Sequence, residues 1–439
     1  MEQLNKEKGT INNAQDSIKD NVKDSKIDVT INENHSLNSS SQEDLGNTIF
    51  HITENYLNEN YKFRFNEITI DIEVTKKNES CWKTLNEHAL FVELKKKGIN
   101  IPMNSLISIL KSEFPKIFNP IKDYFKNLPD WSGETDYISE YLAHIILEDE
   151  NERELFENSF KKWLVRAVKC ATMSSYFNKQ AFILSDDGDG QNIGKSSWCR
   201  YLCPPSLSKF IAEDISNDKD ARILLCKNFL INLDELAVLS KREINHLKAF
   251  FSKEQINERL PYDRKNSIID RVASFIGSTN KSTFLQDETG SVRWIVFTIR
   301  EVDWSYKNNF NIDNLWSQAY ALSNDENYNE VFNAKDVIEN EKRNEKYTVL
   351  SPERELINKF FKIPTKTAGE NLVFLTATEV LVAIKGQSSL QSINNIGVGK
   401  ALKSIGFKRV KSNGVYGYYV EKINSSFENA FTVSKIKLP

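Results

Sequence analysis

The run Ser185-Asp-Asp-Gly-Asp-Gly-Gln-Asn-Ile-Gly-Lys-Ser-Ser197 carries the densest chemical signal in the chain. Its glycines free the backbone to turn successive N–H groups inward. A helix opening at Lys195 would add the positive end of its dipole. Such a loop cradles phosphates, so Gly190, Gln191, Asn192, Ile193, Gly194, Lys195, Ser196 and Ser197 are the expected nucleotide-binding segment. Lys195 would reach the β- and γ-phosphates, and the Ser196 hydroxyl would join the shell of a Mg²⁺ ion. The pattern G-x-x-x-x-G-K-[ST] asks for glycine at 189, where this chain has Asp189, an acid that must point away from a triphosphate.

Three further segments complete the chemistry of ATP hydrolysis. Asn228-Phe-Leu-Ile-Asn-Leu-Asp-Glu235 is an apolar strand ending in two acids. Asp234 would hold the Mg²⁺ and Glu235 would polarise the attacking water. Val272–Asn280 is another apolar run with a polar end, where Asn280 would orient that water. Arg293 opens the apolar run Trp294–Ile299, from which an arginine would reach a neighbouring subunit's site and stabilise transition-state charge.

These residues need a parallel sheet behind them. From Gln180 the texture is short apolar strands alternating with helices, the α/β pattern. The expected strands are Ala181–Ser185, Lys209–Ala212, Phe229–Leu233, Val272–Ile276 and Trp294–Ile299. Upstream, apolar residues from Phe156 to Ala171 recur at spacings of three and four, which predicts a helix over Glu152–Met173. Alternation over Tyr61–Glu73 predicts one strand pair in an otherwise helical segment. The expected division is a disordered polar tail over 1–45, a mainly helical domain over 46–178, the ATPase core over 179–300, a helical connector over 301–350, a small domain over 351–422 and a tail over 423–439.

That small domain has its own pattern. Thr376-Ala-Thr-Glu379 is a capping box for a helix to about Lys385. A second helix over Ile396–Ile405 precedes two strands around Asn413-Gly414, a hairpin turn. Helix, helix, two-stranded wing is the order of a winged helix. Residues 395–422 carry six basic residues and one acid, among them Lys400, Lys403, Lys408, Arg409 and Lys411. A local charge of +5 on a chain of net charge −3 is suited to duplex DNA.

Composition bounds the rest. The chain has 439 residues, 40% apolar and 11% aromatic, which excludes a collagen-like chain and overall disorder. Five scattered cysteines make no disulfide framework and no zinc spacing. The first twenty residues lack an apolar signal segment and no run of 18 apolar residues occurs, so the expectation is a cytoplasmic protein with no membrane partner.

Taken together, GQNIGKSS, FLINLDEL, PYDR, FIGSTN and DETGSVRW resemble the virulence-associated E proteins, AAA+ ATPases similar to superfamily-three helicases and to the helicase halves of phage and plasmid primase-helicases. The likeness is specific over about Gln180–Ile299. It implies an AAA+ P-loop core and a homo-hexameric ring translocating on single-stranded DNA with ATP and Mg²⁺, in replication of a prophage or other mobile element, with primase activity supplied separately. On this resemblance Lys195 and Ser196 match Walker A, Asp234 and Glu235 match Walker B, and Asn280 matches sensor 1. Where the family often shows two arginines, this chain reads Ser291-Val292-Arg293 and keeps only the second. The segment from Gln255 to Arg271 corresponds to a hairpin projecting into the ring pore. Its own residues fit: two extended stretches flank a polar turn, with Arg259, Arg264 and Lys265 for phosphates and Tyr262 for a base or sugar. Arg271, just before the sensor strand, is left open between structural, nucleotide-site and DNA roles. The alternatives to a helicase are an ATPase switch that loads or remodels a replication or defence complex, and a DNA-tethering module with a degenerate ATP site.

Overall fold

A computed structural model of the chain describes residues 48–186, 192–213, 215, 219–234, 236, 241–259, 266–281, 283–285, 291–364, 372–386 and 393–423. The tail over 1–45 and most of the tail over 423–439 lie outside them.

The N-terminal segment builds a sheet where one strand pair was expected. Strands β1 (Tyr61–Asn66) and β2 (Asp71–Lys76) form the hairpin read from their alternation. The short β3 (Lys83–Thr84) joins one edge, and β4 (Lys116–Phe118) pairs parallel to β1 on the other, giving the order β3-β2-β1-β4. Helices Ile49–Asn60, Glu87–Lys96 and Met103–Leu110 pack around it through Leu57, Leu90, Leu94 and Leu106.

The central sheet has six strands: β5 (Ile145–Leu147), β6 (Ala181–Ser185), β7 (Ile211–Glu213), β8 (Leu230–Leu233), then, after the intervening hairpin strands β9 (Gln255–Glu258) and β10 (Ser267–Asp270), β11 (Ser274–Thr279) and β12 (Trp294–Val302). Their order is β5-β12-β6-β11-β8-β7. All neighbouring pairs from β12 to β7 are parallel, and β5 closes the edge antiparallel to β12. Alternate residues of each strand feed opposite cores. Phe182, Leu184, Ile295 and Phe297 face one side with helices Arg153–Thr172 and Ile312–Ser323. Ala181, Ile183, Trp294 and Val296 face the other with helices Lys219–Lys227 and Lys241–Phe251. Strands buried on both faces read as unbroken apolar runs, and each fully buried large side chain contributes about 1.5–3 kcal/mol.

The expected boundary at 178 divides what the structure packs together. Strand β5 completes the central sheet, and helix Arg153–Thr172 buries Phe156, Phe160, Trp163 and Val168 in that sheet's core. The helix itself and the five core strands fall within a few residues of their predicted positions.

Arg271 is a structural residue. It is fully buried, and its guanidinium donates to the carbonyls of Ala273 (2.8 Å), Phe250 (3.1 Å), Phe251 (2.9 Å) and Asn178 (2.8 Å). It therefore ties the C-terminal end of helix Lys241–Phe251, where carbonyls are left without helical partners, to the start of β11. Arg271→Met would take the guanidinium from this buried carbonyl cluster, in which Phe250 keeps the Lys253 N–H and Ala273 the Cys170 thiol, and the expected cost is about 3–5 kcal/mol. Urea unfolding checks this: a midpoint equal to that of the parent protein would show that the carbonyl cluster contributes nothing.

In the C-terminal segment, helix Pro352–Phe360, β13 (Phe361–Lys362) and β14 (Leu372–Leu375) precede helices Ala377–Lys385 and Asn395–Ile405, then β15 (Arg409–Ser412) and β16 (Val415–Lys422). β16 pairs antiparallel with β13, β14 and β15. The capping box at Thr376 and Glu379 forms. Asn413 and Gly414 both take positive φ, as a two-residue hairpin turn of this kind requires.

Candidate functional site

Strand register builds the site. Gly277 of β11 stands opposite Leu233 of β8, so Asp234 comes level with Ser278; Thr279 stands opposite Ser185 of β6, so Asn280 comes level with Asp186. Three neighbouring strands thus deliver their terminal polar residues to one edge, the carboxyl end of the parallel sheet. Close approach of β11 and β8 needs glycine at 277, because a Cβ there would collide with the Leu233 carbonyl.

The lysine helix starts at that edge. Gly194 takes φ +100°, a left-handed turn that favours glycine, and a Cβ there would lie 2.9 Å from the Trp304 ring. Asn192 also has positive φ, and Ile193 packs against the core. Helix Lys195–Tyr201 is fixed from behind by Trp198, which stacks on Tyr141 at 4.7 Å while the Tyr141 hydroxyl donates to the Trp198 carbonyl at 3.0 Å. Burial pushes the Cys199 thiol well above its ordinary range, leaving a neutral packing group. Ser197 lines an open cavity beside the helix.

Lys195 is 4% exposed and pairs with the buried Asp186. The Ser196 hydroxyl donates to Asp234 Oδ1 at 2.6 Å and lies 2.9 Å from the Ser278 hydroxyl, which donates to the same oxygen at 2.8 Å. Hydroxyl and carboxylate oxygens on adjacent elements form a hard donor set, which suits Mg²⁺ with water and phosphate completing its shell. These residues therefore fit the metal. Asp234 Oδ2 accepts from Arg200 at 3.0 Å, and Arg200 also pairs with Glu213.

Of the residues expected here, Lys195, Ser196 and Asp234 come together, and Asn280 is exposed at the end of β11 beside them. Gly190, Gln191 and Glu235 lie outside the described residues, as does Asp189. Arg293 is not brought to the lysine of its own chain. It precedes Trp294, which stands opposite Ala181, so it sits at the amino end of the sheet, about 20 Å of strand from Asp186. There its Nε donates to Ser252 Oγ at 3.1 Å.

The expected hairpin is present as β9 and β10, paired from Glu258↔Ser267 to Gln255↔Asp270. Arg259 is exposed at its distal end; Tyr262, Arg264 and Lys265 lie outside the described residues. In the C-terminal segment Lys400, Lys403, Lys408, Arg409 and Lys411 are all exposed. The Arg409 guanidinium lies 4.7 Å from the centre of the exposed Tyr416 ring, while Glu421, the nearest acid in sequence, is taken by Lys362 at 3.0 Å.

Sequence reasoning missed Asp186, Arg200, Glu213 and Ser278. Ser278 had a signal, since it stands in the same polar strand end as Asn280. Arg200 had none, because its partners are 13 and 34 residues away.

Comparison with known proteins adds the family. No curated protein matches the chain. Among solved structures, the chain is similar to the apo C-terminal region of NrS-1, at 12% identity and a TM-score of 0.45, covering 85% of this chain and 99% of that one. It is also similar to SCCmec type IV Cch, described as an active helicase, at 12% identity and a TM-score of 0.37, covering 82% of this chain and 92% of that one. The model of the virulence-associated protein E-like domain matches residues 125–349, a span holding the glycine-rich loop, Asp234, β11 and the β9–β10 hairpin. The chain belongs to the virulence-associated protein E-like domain family.

Proposed function

We propose that this protein is an ATP-dependent DNA helicase or translocase of a prophage or other mobile element, hydrolysing ATP at the subunit interfaces of a homo-hexameric ring. The observation that carries the reading is the convergence of Lys195, Ser196, Asp234 and Ser278 on the carboxyl edge of a parallel sheet, in a chain of this family. Open α/β sheets bind ligands at that edge.

In this reading Lys195 holds charge on the β- and γ-phosphates, while Ser196 and Asp234 hold the metal. Mg²⁺, when bound, neutralises charge building between those phosphates. Glu235, directly after Asp234, accepts the proton of the attacking water, and Asn280 orients that water. The β9–β10 hairpin carries Arg259, Tyr262, Arg264 and Lys265 to single-stranded DNA in the pore. The segment over 351–422 acts as a winged helix on duplex DNA through Lys400, Lys403, Lys408, Arg409 and Lys411. DNA-stimulated ATPase measured beside strand displacement tests the whole reading. Stimulation with displacement is expected; stimulation alone would favour a loading or remodelling switch, and neither would leave only a DNA tether.

Arg293 acts across a subunit boundary in this scheme, which its distance from its own lysine supports. Mixing Arg293→Ala subunits with Lys195→Ala subunits should restore part of the ATPase, because some interfaces then join an intact loop to an intact arginine. Absence of rescue at every ratio, in rings shown to exchange subunits, would assign Arg293 to its Ser252 contact alone.

A further inference from the structure

Asp234 is held on both of its oxygens. Oδ1 takes the Ser196 and Ser278 hydroxyls, at 2.6 and 2.8 Å. Oδ2 takes Arg200 Nη2 at 3.0 Å. The same guanidinium forks onto Glu213, Nε to Oε1 at 2.8 Å and Nη2 to Oε2 at 3.1 Å. Glu213 is fixed in turn by Asn232 Nδ2 at 2.7 Å. One guanidinium nitrogen, Nη2, therefore donates to two carboxylates, which come from the ends of the adjacent parallel strands β7 and β8.

A divalent cation between Ser196 and Asp234 brings a second positive centre to a carboxylate that already holds one. The two repel, and Mg²⁺ demands its oxygen ligands in near-octahedral positions. Arg200 has an alternative. Glu213 presents both oxygens to its fork, and a bidentate arginine–carboxylate pair stands without Asp234. The side chain also has room, since it is 45% exposed and lines an open cavity of about 500 Å³ with Ser197, Tyr201 and Lys307.

We propose that Arg200 is a positioning residue for the metal: it holds Asp234 in the metal-free site and withdraws onto Glu213 when the cation binds, so that the Arg200–Glu213 pair sets the Mg²⁺ affinity of the nucleotide site. The proposal rests on the ATP–Mg²⁺ reading above.

The test is equilibrium binding of a fluorescent ATP analogue to the full chain, titrated with Mg²⁺ and repeated in EDTA. Arg200→Gln removes the competitor for Asp234 and should lower the half-saturating Mg²⁺ about three- to fivefold, the worth of a part-exposed ion pair. Glu213→Gln removes the retreat and should raise it by a similar factor. Binding in EDTA should stay the same in both. The double variant decides between handover and plain charge. If Glu213 acts only through Arg200, the double variant matches Arg200→Gln. If the two charges act independently through space, their effects cancel and the double variant returns to the parent midpoint, which overturns the proposal. An Arg200→Gln midpoint equal to the parent's overturns it as well. Should the parent protein fail to bind the analogue even in excess Mg²⁺, the nucleotide reading itself falls and this proposal with it.

Discussion

On the proposed reading, Lys195→Ala should abolish ATP turnover, while Glu235→Gln should keep ATP bound and stop its hydrolysis. The two residues divide the labour. Lys195 supplies fixed positive charge from a buried position, where screening by water is weak. Its loss has a second consequence, because it takes the lysine's positive charge away from the buried Asp186. That carboxylate would then face a bound triphosphate without the lysine to offset it, and breaking a buried ion pair costs about 3–5 kcal/mol of stability. Lys195→Ala combined with Asp186→Asn separates these effects. Stability should return, and turnover should not. In the proposed mechanism Glu235 takes the proton of the attacking water, so its amide variant should slow hydrolysis about 10²–10⁴-fold with little change in ATP affinity. Hydrolysis and equilibrium binding, measured on the same preparations, check both. Normal turnover by Glu235→Gln would remove the residue from the water-activating role, and normal turnover by Lys195→Ala would remove the phosphate site from the loop.

The parts of this site that were legible in the sequence are those that local patterns encode. Strand β6 and the lysine helix flank a glycine-rich run, and Asp234 ends a near-continuous apolar run broken only by Asn232, because strands covered on both faces admit few polar residues until they emerge. The hairpin turn at Asn413-Gly414 and the capping box at Thr376 were legible for the same reason, each being specified within four residues. What escaped is what register decides. Ser278 meets Asp234 only because Gly277 stands opposite Leu233. Arg200 meets Glu213 and Asp234 only because β7 and β8 are neighbours. The N-terminal sheet was underestimated because β4 is three residues long and pairs with a strand some fifty residues before it, too short to show alternation. The stripe on helix Arg153–Thr172 marked it as core without saying whose core. A 3.6-residue period reports that a face is buried, not against what.

On the proposed reading, replacing both Arg264 and Lys265 with alanine should leave DNA-independent ATPase near normal, while DNA stimulation and unwinding should collapse together. The argument is one of position. Strand β10 runs into β11 through Arg271, at the amino end of the sheet, whereas Lys195 and Asp234 stand at the carboxyl end. The hairpin is therefore rooted on the edge away from the proposed phosphate site, beside the Ser252–Arg293 contact. Arg271 makes that root stiff by gathering carbonyls from three segments, so a force on the hairpin tip is carried into β11 rather than lost in a loose hinge. Arg259 is exposed where the pairing of the two strands ends. Each basic residue that neutralises a phosphate releases counterions, so losing two should reduce the salt slope of single-stranded DNA binding by about 1.4. If Arg264 and Lys265 were instead ordinary exposed ion-pair partners, the double variant would lose only ~0–1 kcal/mol of stability and would unwind as before. Normal unwinding thus removes the hairpin from the DNA path. Loss of the basal ATPase along with unwinding would place Arg264 or Lys265 in a nucleotide site, which a hairpin rooted at this edge could reach only in a neighbouring subunit.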